Sequence, residues 1–230
     1  MKKTITRLFF ALFVIDAGLH LLSTQLDGGS FNYITKVLLM PLLGAYALNK
    51  ESYTASRIKI SLGLALFFSW IGDALLGFSG DIYFLSGLGS FLVGHVIYIF
   101  AYGYASGTYP LKIIWKRWWY WLPIVGYGFS FLAWLWPKLD PAMQYPVAGY
   151  AMVLVAMLLA AAGRGKYTHP TSFILVLWGA VSFVLSDSMI AVNRFAEAIP
   201  QGSLLIMSTY ILGQWMIAEG LLNHPSPAKP

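Results

Sequence analysis

Asp73 and Asp187 each stand well inside a long apolar stretch, and neither has a Lys or Arg within one helical turn of it. A carboxyl group in such surroundings needs either a proton or a partner from elsewhere in the fold. Two carboxyls sharing one sheltered pocket can divide general acid and base work, one neutral and donating, one anionic, which suits acid-labile C–O bonds. The same pair suits a proton-coupled transporter of small molecules or lipids. Residue types alone leave both readings open. The rest of the ionisable set in apolar sequence is short: Asp16, His20, Lys36, His95 and Glu219, with Arg194 at the edge of the Asp187 stretch. Several have plainer explanations. Asp16 and His20, at i and i+4, could satisfy each other on one helix. His95 could bond a backbone carbonyl across a helix interface, and Lys36 and Arg194, both near a water boundary, could meet headgroup phosphates.

Other chemistries fit less well. Cys is absent. Only His20 and His95 fall in apolar runs, and no paired-His zinc spacing occurs, so metal catalysis is not expected. A G-x-S-x-G nucleophile elbow is missing. Intramembrane aspartyl proteolysis would want Gly-x-Gly-Asp and Tyr-Asp, whereas Trp70-Ile71-Gly72-Asp73 lacks the first Gly and Ser186 precedes Asp187.

The elements that must position these groups follow from composition. Of 230 residues, 58% are hydrophobic and only 10% charged, against roughly 25% charged in a soluble domain, so the apolar surplus must face lipid. The net charge of +6 and pI near 9.4 do not indicate nucleic acid, because the basic residues sit in the short gaps between apolar runs. A hydrocarbon core about 30 Å thick takes roughly 20 residues of helix. Eight runs qualify: Ile5 to Ser23, Tyr33 to Leu48, Ile58 to Phe78, Ile82 to Ala105, Trp118 to Trp136, Ala142 to Ala162, Ser172 to Val192 and Ser203 to Leu222. The first lacks a clear cleavage site and is read as a retained helix. No gap has room for a soluble domain, so residues 1–230 are expected to form one all-α transmembrane bundle of eight helices.

Lys and Arg in short loops stay in the cytoplasm. Alternate loops, beginning at the N-terminus, carry Lys2, Lys3, Arg7, Lys50, Arg57, Lys59, Lys112, Lys116, Arg117, Arg164, Lys166 and Lys229, while the other side holds only Lys36, Lys138 and Arg194. Both termini are therefore expected in the cytoplasm. Trp115, Trp118, Trp119, Tyr120 and Trp121 at one end of the fifth run, and Trp134 and Trp136 at the other, read as headgroup-level anchors. Asp16, Asp73 and Asp187 lie roughly five to seven residues before the outer ends of spans with the same direction, which at 1.5 Å per residue gives them one common level. Lys36 and His20 reach that same half of the membrane, and Glu219, near the inner end, is expected to snorkel to the interface. Helical spacing also groups Phe91, His95, Tyr98 and Tyr102 on one face, Ser69, Asp73 and Gly77 on another, and Tyr210 with Gln214 on a third. Asp187, Ala191 and Arg194 run along a stripe with Ser186 on its flank.

Read together, these motifs resemble the lysoplasmalogenase family, the YhhN-like membrane proteins. The resemblance runs through Lys36-Val37-Leu38-Leu39-Met40-Pro41, Gly72-Asp73 with Leu76, and Phe91 to Tyr98 with Gly94-His95 inside it. It continues through Gly179-Ala180, Phe183, Ser186-Asp187, Ala191 and Asn193-Arg194-Phe195, and ends on Tyr210 to Gln214. It implies a membrane hydrolase that cleaves the vinyl ether of choline or ethanolamine lysoplasmalogens to a fatty aldehyde and a glycerophospho-alcohol, with no cofactor or added metal. A bacterial inner (cytoplasmic) membrane is the expected location, with lysophospholipid and membrane lipid as partners and no nucleic acid. In that frame Asp73 and Asp187 are the acid and base. His95 and Tyr98 would orient them or the water. Lys36 and Arg194 would hold the phosphate, Asn193, Tyr210 and Gln214 would line the substrate site, and Asp16, His20 and Ser186 are secondary candidates.

Overall fold

In lipid every backbone N–H and C=O must be bonded within its own segment, so uninterrupted apolar runs become helices. The computed structural model describes residues 2–26, 29–52, 54–107, 119 and 121–224, and among these every regular element is a helix. The α-helices are α1 Lys2–Ser23, α2 Gly29–Asn49, α3 Ser56–Leu75, α4 Asp81–Ser106, α5 Leu122–Leu135, α6 Pro141–Ala162, α7 Pro170–Phe195 and α8 Gly202–Leu222. Proline fits the first turn, where its missing N–H costs nothing, and it opens α6 and α7 and lies in the first turn of α5.

The eight helices coincide with the eight expected runs to within a few residues. Seven are long and apolar enough to cross a membrane. The exception is α5, at 14 residues about 21 Å long, which passes into a 3-10 turn at Trp136–Lys138. Of the aromatic cluster expected before it, Trp115, Trp118 and Tyr120 lie outside the described residues, as do Lys112, Lys116, Arg117 and Lys229.

The bundle is built from neighbouring pairs, α1 on α2, α3 on α4 and α7 on α8, joined by α2 on α3, α4 on α6 and α6 on α7. Small residues set the closest approaches. A Cβ at Gly179 of α7 would sit 2.9 Å from the Gly213 carbonyl oxygen of α8, and one at Gly213 would sit 2.9 Å from that of Gly179. Two turns further along the same interface, a Cβ at Gly220 would come within 3.0 Å of the Ser172 carbonyl oxygen. This glycine seam presses α7 and α8 together and fixes their relative register.

Two polar clusters at the end of the bundle holding the C-termini of α2 and α8 differ from expectation. Glu219 is held inside the bundle rather than free to snorkel: half-buried, it accepts hydrogen bonds from Lys50 and from Tyr46 of α2 (2.7 Å). Arg164 is not a loop cation at the water boundary. It is fully buried, donates to Ser172 Oγ at 2.9 Å and lies over the Tyr102 ring, while Ser172 in turn donates to the Gly220 carbonyl.

Candidate active site

At the opposite end, the C-terminal turns of α1, α3 and α7 meet the N-terminal turns of α2, α4 and α8 around a cavity of about 610 Å³. Both aspartates line it. Asp73 reaches it from the last turns of α3 and is 2% exposed. Asp187 reaches it from α7, two turns before the helix ends.

Each acid is held by a phenol from a neighbouring helix. Tyr210 of α8 donates to Asp73 Oδ2 at 2.6 Å, and Tyr150 of α6 donates to Asp187 Oδ2 at 2.5 Å. Each donor occupies one carboxyl oxygen, and neither Oδ1 has a hydrogen-bond partner among the described residues. Beside Asp187, Ser186 donates to the Ile206 carbonyl at 3.0 Å and ties α7 to α8. A carboxyl held by a phenol on one oxygen, lining a cavity and with its other oxygen unbonded, is arranged to exchange a proton with whatever the cavity holds.

The walls are chemically divided. Helices α1 and α2 supply His20, Ser23, Thr24, Asn32 and Lys36, while Leu76, Phe84, Phe91, Ile190 and Met207 supply the apolar side. Asn32 donates to Ser23 Oγ at 2.9 Å, and Ser23 donates to the His20 carbonyl, which stiffens the polar wall. Lys36 makes no hydrogen bond or ion pair among the described residues, so its ammonium is available to an occupant. The expected Asp16–His20 pair does not form. His20 Nδ1 meets Thr35 Oγ1 at 3.0 Å, and Thr35 directs its own proton to the carbonyls of Phe31 or Asn32. The imidazole therefore donates through Nδ1 and keeps Nε2 as an acceptor. Asp16 is buried but lies off the cavity wall, and its Oδ2 has no partner among the described residues.

Arg194 and Asn193 stand at the rim. Arg194 pairs with Asp81 at 2.7 Å, at 34% and 73% side-chain exposure, and its guanidinium stacks 3.9 Å from the Phe84 ring centroid. Asn193 Oδ1 accepts the Ile199 N–H at 3.0 Å and holds the turn into α8.

Three residues expected at the site lie behind it. His95 is 1% exposed and packed in rings, 4.6 Å from Phe183 and 5.5 Å from Tyr150 between centroids, with no hydrogen-bond partner for either nitrogen among the described residues. It touches Tyr150 directly. Phe183 carries the contact on to Tyr210 at 5.4 Å, so His95 supports both phenols through packing. Tyr98 donates to Gln214 Oε1 at 2.6 Å and Gln214 donates to Ser69 Oγ at 2.9 Å, so their polar groups are bonded to each other and do not line the cavity.

Tyr150 and Asp81 are absent from the sequence-derived set. A Tyr in mid-run, far from headgroup depth, is the signal that could have found Tyr150. For Asp81, an exposed acid in the first turn of α4, there was none. Among the described residues, no three His, Asp or Glu side chains converge at metal-ligand spacing.

Residues 31–221 match the model of the YhhN family. The chain is 32% identical to "Lysoplasmalogenase TMEM86B" of Homo sapiens, over 71% of this chain and 64% of that protein. It is 30% identical to "Lysoplasmalogenase TMEM86A" of Bos taurus, over 76% of this chain and 69% of that protein. The aligned part thus spans less than two thirds of the first of these relatives. No solved structure matches the chain.

Proposed function

This chain belongs to the YhhN family, and on that premise we propose that it is a membrane hydrolase acting on the vinyl ether bond of lysoplasmalogens, with Asp73 and Asp187 as its acid–base pair. The observation that carries the reading is that two acids from separate helices face one cavity, each with one oxygen fixed by a tyrosine. The relatives' names favour this reading over proton-coupled transport.

The chemistry needs little more. A neutral carboxyl protonates the β-carbon of the alkenyl group, and the ether oxygen shares its electrons to form an oxocarbenium ion. The anionic carboxyl stabilises that cation and takes a proton from the attacking water, giving a hemiacetal. As the hemiacetal collapses, the bond to the glycerol oxygen breaks, that oxygen takes a proton, and the hemiacetal hydroxyl loses one to become the aldehyde. Protons balance over the cycle, with one water consumed. Each acid thus changes role between the steps, as the acid/base carboxyl of a retaining glycosidase does.

Lys36 is the phosphate anchor in this reading, a charge-assisted donor on the polar wall. Arg194, engaged with Asp81, contributes at the rim. Seven long apolar helices make the chain a multi-pass membrane protein. We assign both termini to the cytoplasm of a bacterial inner membrane, with α5 and its 3-10 turn completing an eighth crossing, so that the cavity opens toward the outer face. The test is aldehyde release from a lysoplasmalogen by the purified protein in detergent. Release that persists undiminished in a chelator is expected. No release from either choline or ethanolamine forms would remove the proposed activity, and release abolished by chelator would remove the metal-free carboxyl mechanism.

A further inference from the structure

Asp187 borders two cavities. Besides the polar one, it lines a space of about 60 Å³ enclosed by α5, α6 and α7. The walls of this second space are nearly all aliphatic or aromatic, with Ile124, Phe131, Ala151, Leu154 and Val184 among them. Its polar side chains are already bonded: Tyr127 donates to Ser188 Oγ at 2.8 Å, Ser188 donates to the Val184 carbonyl at 2.7 Å, and Tyr150 donates to Asp187. An occupant of this groove finds no hydrogen-bonding group to satisfy other than the Asp187 carboxyl at its end. The outer wall is thin. Helix α5 buries only Leu135, and its back, including Phe129 at 74% exposure, faces outward toward lipid.

We propose that the groove between α5, α6 and α7 receives the hydrocarbon chain of the lipid substrate, so that the alkenyl carbons lie at Asp187, where the polar and apolar cavities meet. This rests on the hydrolase reading and adds to it the element that selects the chain. At about 30 Å³ for a water-sized group the enclosed part holds roughly two such groups, so it takes the first methylenes, and the rest of the chain runs out past α5 into the bilayer. The headgroup stays in the larger cavity, against Lys36. The carboxyl that must meet the vinyl ether is the one side chain that both compartments share with the reaction.

The groove is tested by filling it. Ala151→Phe places a ring in the apolar space, and the short-chain substrate reports any disturbance of the neighbouring Tyr150–Asp187 hydrogen bond. The substitution is expected to lower kcat/KM for a hexadecenyl lysoplasmalogen about tenfold or more while changing an ethenyl analogue, which has no carbon beyond the double bond, less than about twofold. Equal losses on both substrates, or no loss on either, would overturn the proposal. A second measurement uses the wild-type protein and does not depend on turnover. A lysophosphocholine with a saturated ether chain carrying a diazirine near the ether is photolysed in the detergent-solubilised protein, and the label is mapped by mass spectrometry. Labelling on α5 or α6 supports the groove. Labelling confined to α1–α4, α7 and α8, which wall the larger cavity, overturns it. Groove labelling without aldehyde release from any lysoplasmalogen would keep the chain site and remove the hydrolase reading, so the two failures are distinguishable.

Discussion

Asp73→Asn and Asp187→Asn are each expected to abolish aldehyde release, with kcat falling by about two to four orders of magnitude, the usual worth of a general acid or base. The amide keeps the size of the carboxyl and can still accept the phenol proton of Tyr210 or Tyr150, so packing around the site is preserved. The protein should therefore insert, purify as a single species and retain the wild-type melting temperature within a few degrees. What the amide cannot do is donate and recover a proton. The double variant should be scarcely worse than either single one, because the two groups act as a unit and their losses do not add. Turnover retained in both single variants would refute the carboxyl roles.

Lys36→Gln is expected to raise KM by about tenfold to a hundredfold, the loss of one charge-assisted hydrogen bond to phosphate at roughly 1.5–3 kcal/mol, with kcat little changed. The reason is that Lys36 makes no hydrogen bond or ion pair among the described residues and faces the same cavity as the acids. Arg194→Gln should have a much smaller effect, no more than severalfold, since its guanidinium is shared with the exposed Asp81 and the Phe84 ring, and rim charges contribute little. Salt should weaken the Lys36 contribution only modestly, as the group is partly shielded from solvent. Steady-state kinetics on dilution series of substrate in mixed micelles separates the two. Equal KM effects from both substitutions would move the phosphate to the rim.

The spans were legible because lipid enforces one rule, an apolar run closed at each end by charge, Pro or Gly, and α4, α6 and α8 begin and end within a residue of where that rule places them. The carboxyl layer was legible from the same cost argument, since Asp73 and Asp187 have no reason to be in lipid without a shared cavity. What helical spacing could not reveal was which polar groups consume one another. Tyr98 and Gln214 share a face with the site residues, yet they bond across the core. Asp16 and His20 have the right spacing for a pair, but Thr35 from α2 takes the imidazole. Glu219 and Arg164 looked interfacial because hydropathy treats each charge singly, whereas Lys50 and Ser172 supply partners from other segments. Tyr150 was lost among apolar neighbours for the same reason: its importance lies in the residue it reaches, not in its own helix.

The central claim is that a protein carboxyl delivers a proton to the alkenyl carbon before water attacks. Hydrolysis of a lysoplasmalogen in deuterium oxide, with the aldehyde trapped at once by reduction and examined by mass spectrometry, reads that step directly. The account predicts a single deuteron on the carbon next to the former ether carbon, introduced by the wild-type protein. An aldehyde released without deuterium at that carbon, or a glycerophospho-alcohol released with no aldehyde, would contradict it.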